Sequence, residues 1–248
     1  MYNQSAIRRG RHAFWETPRH FKFDRSLPWA NGFCFHLAVF FASGRFAMKL
    51  VAVVGSRDLP VSWAGRVSQV VGDLVRRGCR IGSGGALGAD LFALQAAVRL
   101  GREACDGSRV FLPGSVLDAP VSCRTPLLQF EAFGGRIVPG QVSGTASERS
   151  EFIEALFART VELVRASSGV VAFVSGPSKG TWYTCEQAAR QGKQVVLFSA
   201  DGPRAIHSLG CGRWVPLHAW EGAWRWETSV PAGQHCRHGI VVECCAGV

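Results

Sequence analysis

Apolar and polar residues alternate along the middle of this chain with the rhythm of an α/β protein. Lys49–Gly55 is an apolar run of strand length opened by a lysine. Residues 62–77 then set Trp63, Val67, Val70, Val71, Leu74 and Val75 on one face at helical spacing, and Gly78 stops the helix. Cys79–Ile81 reads as a short second strand. Leu87, Leu91, Leu94 and Val98 recur at helical spacing up to Gly101, and Arg109–Leu112 is a third strand ended by Pro113-Gly114. Phe152, Ile153, Leu156, Phe157, Val161 and Val164 predict a helix over 149–167. Gly169–Val174 is apolar throughout, as the buried centre of a parallel sheet requires. A helix over 181–191, a stop at Gly192 and the strand Gln194–Ser199 complete the unit. This succession predicts a doubly wound, mainly parallel sheet of about five strands with helices on both faces. Ligands of such a sheet bind at the carboxyl ends of its strands.

The flanks are less regular. Residues 1–47 show no stable periodicity and are rich in Arg, His, Phe and Trp. The apolar run Phe33–Ala42 is too short for a membrane span and lies too far from the start for a secretory signal. Met48 is expected to be the natural start, with residues 1–47 an over-called or disordered extension; the rival is an amphipathic appendage that binds a partner. Residues 48–200 form the expected domain. Residues 115–148 are rich in turn formers, with a weak apolar piece at Arg136-Ile137-Val138, and are read as a loop over the site. Residues 201–248, with Trp214, Trp220, Trp224 and Trp226, are read as an appendage that packs on the sheet edge or stays loose.

Charge changes this picture little. The chain carries a formal +10, and residues 1–47 hold half of the excess with seven Arg or Lys against two acids. Arginine outnumbers lysine 24 to four, a skew that genome composition can produce. The balance permits nucleic acid without establishing it. Nine cysteines occur without a C-x-x-C pair, and a reduced, cytoplasmic protein is expected. Cys236, His238, Cys244 and Cys245 lack zinc-ligand spacing, so neither a metal nor a cofactor is expected.

The chemistry concentrates in three glycine-bearing loops, each placed after a strand. Ile81–Asp90 holds four glycines in ten residues; Gly55-Ser56-Arg57 and Ser175-Gly176-Pro177-Ser178-Lys179-Gly180-Thr181 are the others. Glycine lets a phosphate approach the chain, and a helix start favours negative charge. A doubly wound sheet brings the three loops to one edge, around one phosphorylated ligand. Ser56, Ser83, Ser175 and Thr181 offer hydroxyls, and Arg57 offers a planar fork for a phosphate. Asp90 is placed to bond a ribose, to orient loop amides, or simply to complement a helix dipole. Arg159 either reaches across the site or is solvated. Neither a G-x-G-x-x-G nor a P-loop is present, which disfavours an ordinary dehydrogenase or ATPase. No histidine lies between His36 and His207, so the usual general base is missing from the core. Cys185, near a helix start, is read as a packed residue rather than a reactive thiol.

Val53–Arg57, Gly82–Asp90, Phe157-Ala158-Arg159-Thr160 and Ser178–Thr181 together resemble the DNA-processing protein A (DprA/Smf) group of the SLOG superfamily. That superfamily also includes LONELY GUY-type phosphoribohydrolases. The resemblance spans about residues 49–200 and implies a Rossmann-like sheet. It assigns nucleotide or phosphate contacts to Gly55, Ser56, Arg57, Gly84, Gly85, Gly88, Asp90, Arg159, Gly180 and Thr181, with Ser83, Ser175 and Gly176 beside them. Thr160 stands where DprA proteins commonly have Asn. Pro177-Ser178 replaces the phosphoribohydrolase glycine pair, and Thr184 stands at its glutamate position; Glu186 lies about 200° round the helix from Thr184. The expected function is therefore a binding module for single-stranded DNA or a nucleotide in DNA processing or uptake. The alternatives are a nucleoside monophosphate hydrolase using Glu186 or Asp90, and a nucleotide sensor. Trp182 is weighed as a base-stacking residue against core packing, with packing favoured. No membrane partner is expected, and homo-oligomerisation is left open.

Overall fold

The computed structural model describes residues 48–140, 149–229, 235–237 and 240–242. Its strands are β1 (Leu50–Gly55), β2 (Arg80–Ser83), β3 (Arg109–Phe111), β4 (Arg136–Val138), β5 (Gly169–Val174), β6 (Gln194–Ser199), β7 (Gly212–Pro216) and β8 (Ala223–Thr228). They form one sheet in the order β4-β3-β2-β1-β5-β6-β8-β7. The first six in that order run parallel, and β8 and β7 join antiparallel at the β6 edge. A separate hairpin pairs β9 (His235–Arg237) with β10 (Ile240–Val242).

The helices are α1 (Ala64–Arg76), α2 (Ala89–Leu100), α3 (Arg102–Cys105), α4 (Val121–Ala132), α5 (Arg149–Ala166) and α6 (Lys179–Arg190). Helices α1, α2 and α4 pack side by side, and α5 packs on α6. Right-handed crossovers put these two groups on opposite faces, because the chain moves outward from β1 to β4 and then returns to β5. The result is a Rossmann-like, doubly wound sheet. Its topological switch lies between β1 and β5, where a crevice opens beyond the strand ends.

The all-apolar sequence of β1 and β5 follows from that position. Every residue of β5 is buried, and β1 is buried up to Val54. Leu50, Ala52 and Val54 join Leu163, Val164, Trp182 and Cys185 in the core under α5 and α6. On the other face Phe173 and Phe198 stack at 4.8 Å, with Trp63 and Trp220 against them. Each such side chain removed from water stabilises the fold by roughly 1.5–3 kcal/mol before entropy is counted.

The eight strands exceed the five expected, for two reasons. The segment 115–148 contains α4 and β4 besides loop. Helix α4 is hidden by Pro126 inside it, yet Cys123, Leu127 and Phe130 still bury one stripe. Residues 212–228 form an antiparallel hairpin whose single neighbour is β6, a pairing that no local period can announce. Trp220, at its turn, donates from Nε1 to Asp73 Oδ2 at 2.8 Å, and Arg77 lies over its ring. No helix among the described residues is long and apolar enough to cross a membrane.

Candidate functional site

The carboxyl ends of β1 and β5, with Ala86 of the loop after β2 and Asp90 of α2, border a cleft of about 580 Å³. Gly55, Ser56, Arg57 and Asp90 line one side of it. Ser175, Gly176, Lys179, Gly180 and Thr181 line the other, and Arg159 and Thr160 of α5 close it. Of the residues singled out from sequence, Ser83, Gly84, Gly85 and Gly88 do not line this cleft. Gly84 and Gly85 line a smaller neighbouring cavity.

The loop after β1 and the loop after β5 are latched together. Ser56 N–H donates to Phe173 O at 2.9 Å, and Ser175 N–H donates to Ser56 Oγ at 2.9 Å. Ser56 is buried, so its hydroxyl serves as a tether across the crevice. Ser83 is spent similarly, its Oγ accepting from Gly85 N–H at 3.4 Å. On the far side, Gly176 N–H donates to Asp201 Oδ2 at 2.7 Å. Asp201 was not singled out from sequence; it follows β6 at the same sheet edge, and that position was the available signal.

Asp90 is the organising residue of the glycine loop. Its Oδ1 accepts from Gly55 N–H at 3.2 Å, and its Oδ2 accepts from Gly84 N–H at 3.0 Å and Ala86 N–H at 3.5 Å. The carboxyl thus orients the amides of two loops while still lining the cleft. Burial pushes it above the ordinary carboxylate range, against the pull of Arg159 and of these three amides.

Arg159 Nη1 stands 3.9 Å from Asp90 Oδ2, with the arginine side chain only 11% exposed. Its Nε has no hydrogen-bond partner among the described residues. Burial pulls the guanidinium below its ordinary value; Asp90 opposes this and the charge of Arg57 adds to it. A guanidinium does not lose its proton in a protein. The cleft therefore contains a buried cation with spare donors and partial compensation. Arg57 and Lys179 add exposed positive charge at the rim.

Two glycines are demanded by this packing. A Cβ on Gly84 would overlap Arg159 Nη1 and stand 2.6 Å from Cζ, so the guanidinium rests on the bare backbone. Gly88 has φ of 71°, and a Cβ there would run into the Ser56 and Arg57 carbonyls. At both positions glycine is required by the packing of the protein's own groups, the Arg159 guanidinium at Gly84 and the loop carbonyls at Gly88.

A family comparison decides what this arrangement belongs to. The family model described as DNA recombination-mediator protein A matches residues 36–220. The chain belongs to that family. Two solved structures of DNA processing protein A are similar to it. The Helicobacter pylori protein is 22% identical with a TM-score of 0.46, over 61% of this chain and 64% of that one. The Streptococcus pneumoniae protein is 22% identical with a TM-score of 0.47, over 65% of this chain and 52% of that one. The chain thus spans less than two thirds of either solved relative. No curated protein matches it.

The geometry also separates the remaining candidates. Trp182 is buried, stacks on His207 at 4.6 Å and belongs to the core. Cys185 is buried, and burial pushes its thiol up to about 12. Glu186 pairs with Arg190 at 3.5 Å and does not line the cleft. The Thr184 hydroxyl donates to Gly180 O at 2.9 Å. Phe157 and Tyr183, in edge-to-face contact at 4.8 Å, line the cleft and were missed as a pair because they lie on different helices. No group of three or more His, Cys, Asp or Glu side chains is placed to hold a metal among the described residues. The side chains of Cys236, His238, Cys244 and Cys245 lie outside the described residues.

Proposed function

We propose that this chain binds single-stranded DNA through its phosphates at the β1–β5 crevice, as a binding component of DNA processing. The observation that carries the reading is Arg159: a buried guanidinium with an orphaned Nε, seated in a cleft of loop amides, in a chain of a DNA recombination-mediator family. A phosphate completes that guanidinium by charge and by its paired oxygens. Gly55, Arg57, Gly176, Gly180 and Thr181 surround the phosphate path. Ser56, Ser83, Gly84, Gly85, Gly88, Asp90 and Ser175 shape it. Gly180 N–H, at the start of α6, has no acceptor among the described residues, and Gly180 lines the same cleft. The reading is one of binding without catalysis in a cytoplasmic setting.

Fluorescence anisotropy with a labelled oligothymidylate tests it. Each phosphate neutralised on a single strand contributes about −0.7 to the slope of log affinity against log salt. Arg159→Ala and Arg57→Ala are each expected to flatten the slope by about that amount. Salt-insensitive binding, or slopes equal to wild type in both variants, would overturn the reading. Tight binding of a free nucleoside monophosphate with no binding of oligomers would move it to a nucleotide sensor.

A further inference from the structure

The edge of the sheet opposite the crevice collects the amino ends of its six parallel strands. Arg80, Arg109 and Arg136 are the first residues of β2, β3 and β4, and Lys193 directly precedes β6. A cation at this edge has an ordinary structural use, because the helices end here with free carbonyls. Lys193 is spent that way: its Nζ donates to Val164 O and Arg165 O at the end of α5. Arg80 is spent in part, with Nη1 donating to Glu103 O at 2.8 Å and a buried Nε that has no partner among the described residues. Arg109 and Arg136 are not spent at all. Both are exposed, and neither side chain has a hydrogen-bond or ion-pair partner among the described residues.

Register makes this arrangement costly. β3 and β4 pair in parallel with Arg109 directly opposite Arg136, so both side chains leave one face of the sheet about 4.8 Å apart. Like charges so placed destabilise a sheet. The pair cannot slip apart, because Phe111 and Val138, two positions on along the same face, are packed in the core. Gly82, two positions after Arg80, pairs with Arg109, so Arg80 leaves the same face and extends the row. The turn at Gly107, with φ of 74°, closes over Arg80, and a Cβ there would stand 3.2 Å from Arg80 Nε. Glu103 and Asp106, the acids of α3 and of the turn after it, form no ion pair among the described residues. Three guanidinium groups therefore head three adjacent strands over about 10 Å without a paired acid among the described residues.

We propose that this row is a second nucleic-acid contact, holding successive phosphates of a single-stranded segment other than the one in the crevice. Arginine forks take paired phosphate oxygens, and a strand presents more than one phosphate over about 10 Å. Those phosphates relieve the repulsion that the Arg109–Arg136 register leaves standing. Membership of a DNA recombination-mediator family favours nucleic acid over an acidic peptide as the polyanion. The row shares no residue with the crevice and lies at the other end of the strands, so either contact can fail alone.

Isothermal titration of the full chain with oligothymidylate about four nucleotides long, at low ionic strength, tests the row. Wild type should take two oligomers per chain. The variant Arg109→Gln with Arg136→Gln should take one, with a Tm no lower than wild type, because it removes an opposed like-charge pair. The crevice variant Arg57→Ala with Arg159→Ala should keep the amino-edge site, with a salt slope of about −1.4 from two phosphates at about 0.7 each. Adding Arg109→Gln and Arg136→Gln to the crevice variant should abolish that slope. One oligomer per wild-type chain, with a slope unchanged by Arg109→Gln and Arg136→Gln, overturns the second contact and leaves the crevice reading standing. A lowered Tm with unchanged stoichiometry in the same variant assigns the two arginines to folding and also overturns it. Displacement of the second oligomer by polyglutamate of equal charge as readily as by oligothymidylate overturns the choice of nucleic acid. Binding lost with Arg109 and Arg136 but untouched in the crevice variant removes the crevice reading and leaves this contact.

Discussion

Gly84→Ala puts the seating of Arg159 under direct test. An added methyl would overlap Nη1, stand 2.6 Å from Cζ and lie 2.7 Å from Asp90 Oδ2. Gly84 does not adopt a left-handed backbone, so the alanine itself is not strained. The group that gives way is the far end of a flexible side chain, and the guanidinium should swing into the cleft. Breaking a buried ion pair by deleting one partner costs about 3–5 kcal/mol. Here Asp90 keeps three amide donors and Arg159 regains water, so about 2 kcal/mol is expected. For a domain of this size that lowers Tm by about 4–8 °C. Single-strand affinity should fall, and the salt slope should flatten by about 0.7 as one phosphate contact is lost. A double-mutant cycle isolates the cause. On an Arg159→Ala background the clash is gone, and Gly84→Ala should cost under about 0.5 kcal/mol or stabilise slightly. Equal destabilisation on both backgrounds, measured by urea unfolding, would refute the seat.

Other outcomes follow from the same geometry. Ser56→Ala removes the acceptor for Ser175 N–H, so stability should drop by about 1–2 kcal/mol and single-strand affinity should weaken together with it; unchanged thermal unfolding would contradict the latch. Cys105 and Cys185, whose thiols burial pushes up to about 11 and about 12, should resist iodoacetamide at pH 8 in the folded protein and react once urea unfolds it, as peptide mass spectrometry can read. Asp118 is held below its ordinary 3.8, so its turn contribution is complete above that value and is lost as pH falls through the lower native midpoint. A carbon-13 titration with a midpoint at or above 3.8 would oppose the Ser115 contacts.

The six parallel strands of the sheet and five of its helices differed greatly in how plainly they could be read. β1, β5 and β6 announced themselves because a central parallel strand is covered on both faces and so must be apolar at nearly every position. β4 was visible only as a weak apolar piece because an edge strand needs less burial; two of its three residues are half-buried and Arg136 is exposed. α4 was lost to Pro126, which signals a break even where one missing hydrogen bond is tolerated. The three glycine loops could be placed at one edge from topology alone, since every strand-to-helix turn in such a sheet faces the same way.

Local sequence thus determined the alternation of elements, the doubly wound class and the convergence of the glycine loops, all consequences of short-range periodicity and chain chirality. Tertiary structure alone decided how the loops are held. Asp90 reaches Gly55 across 35 positions, Ser175 reaches Ser56 across 119, and Trp220 ties its hairpin to α1 across 147. It also decided that Arg159 is buried against Gly84 and that a second cavity opens behind it. Such contacts join residues whose spacing along the chain carries no period. Only the folded sheet, by fixing which strand ends are neighbours, brings them within reach.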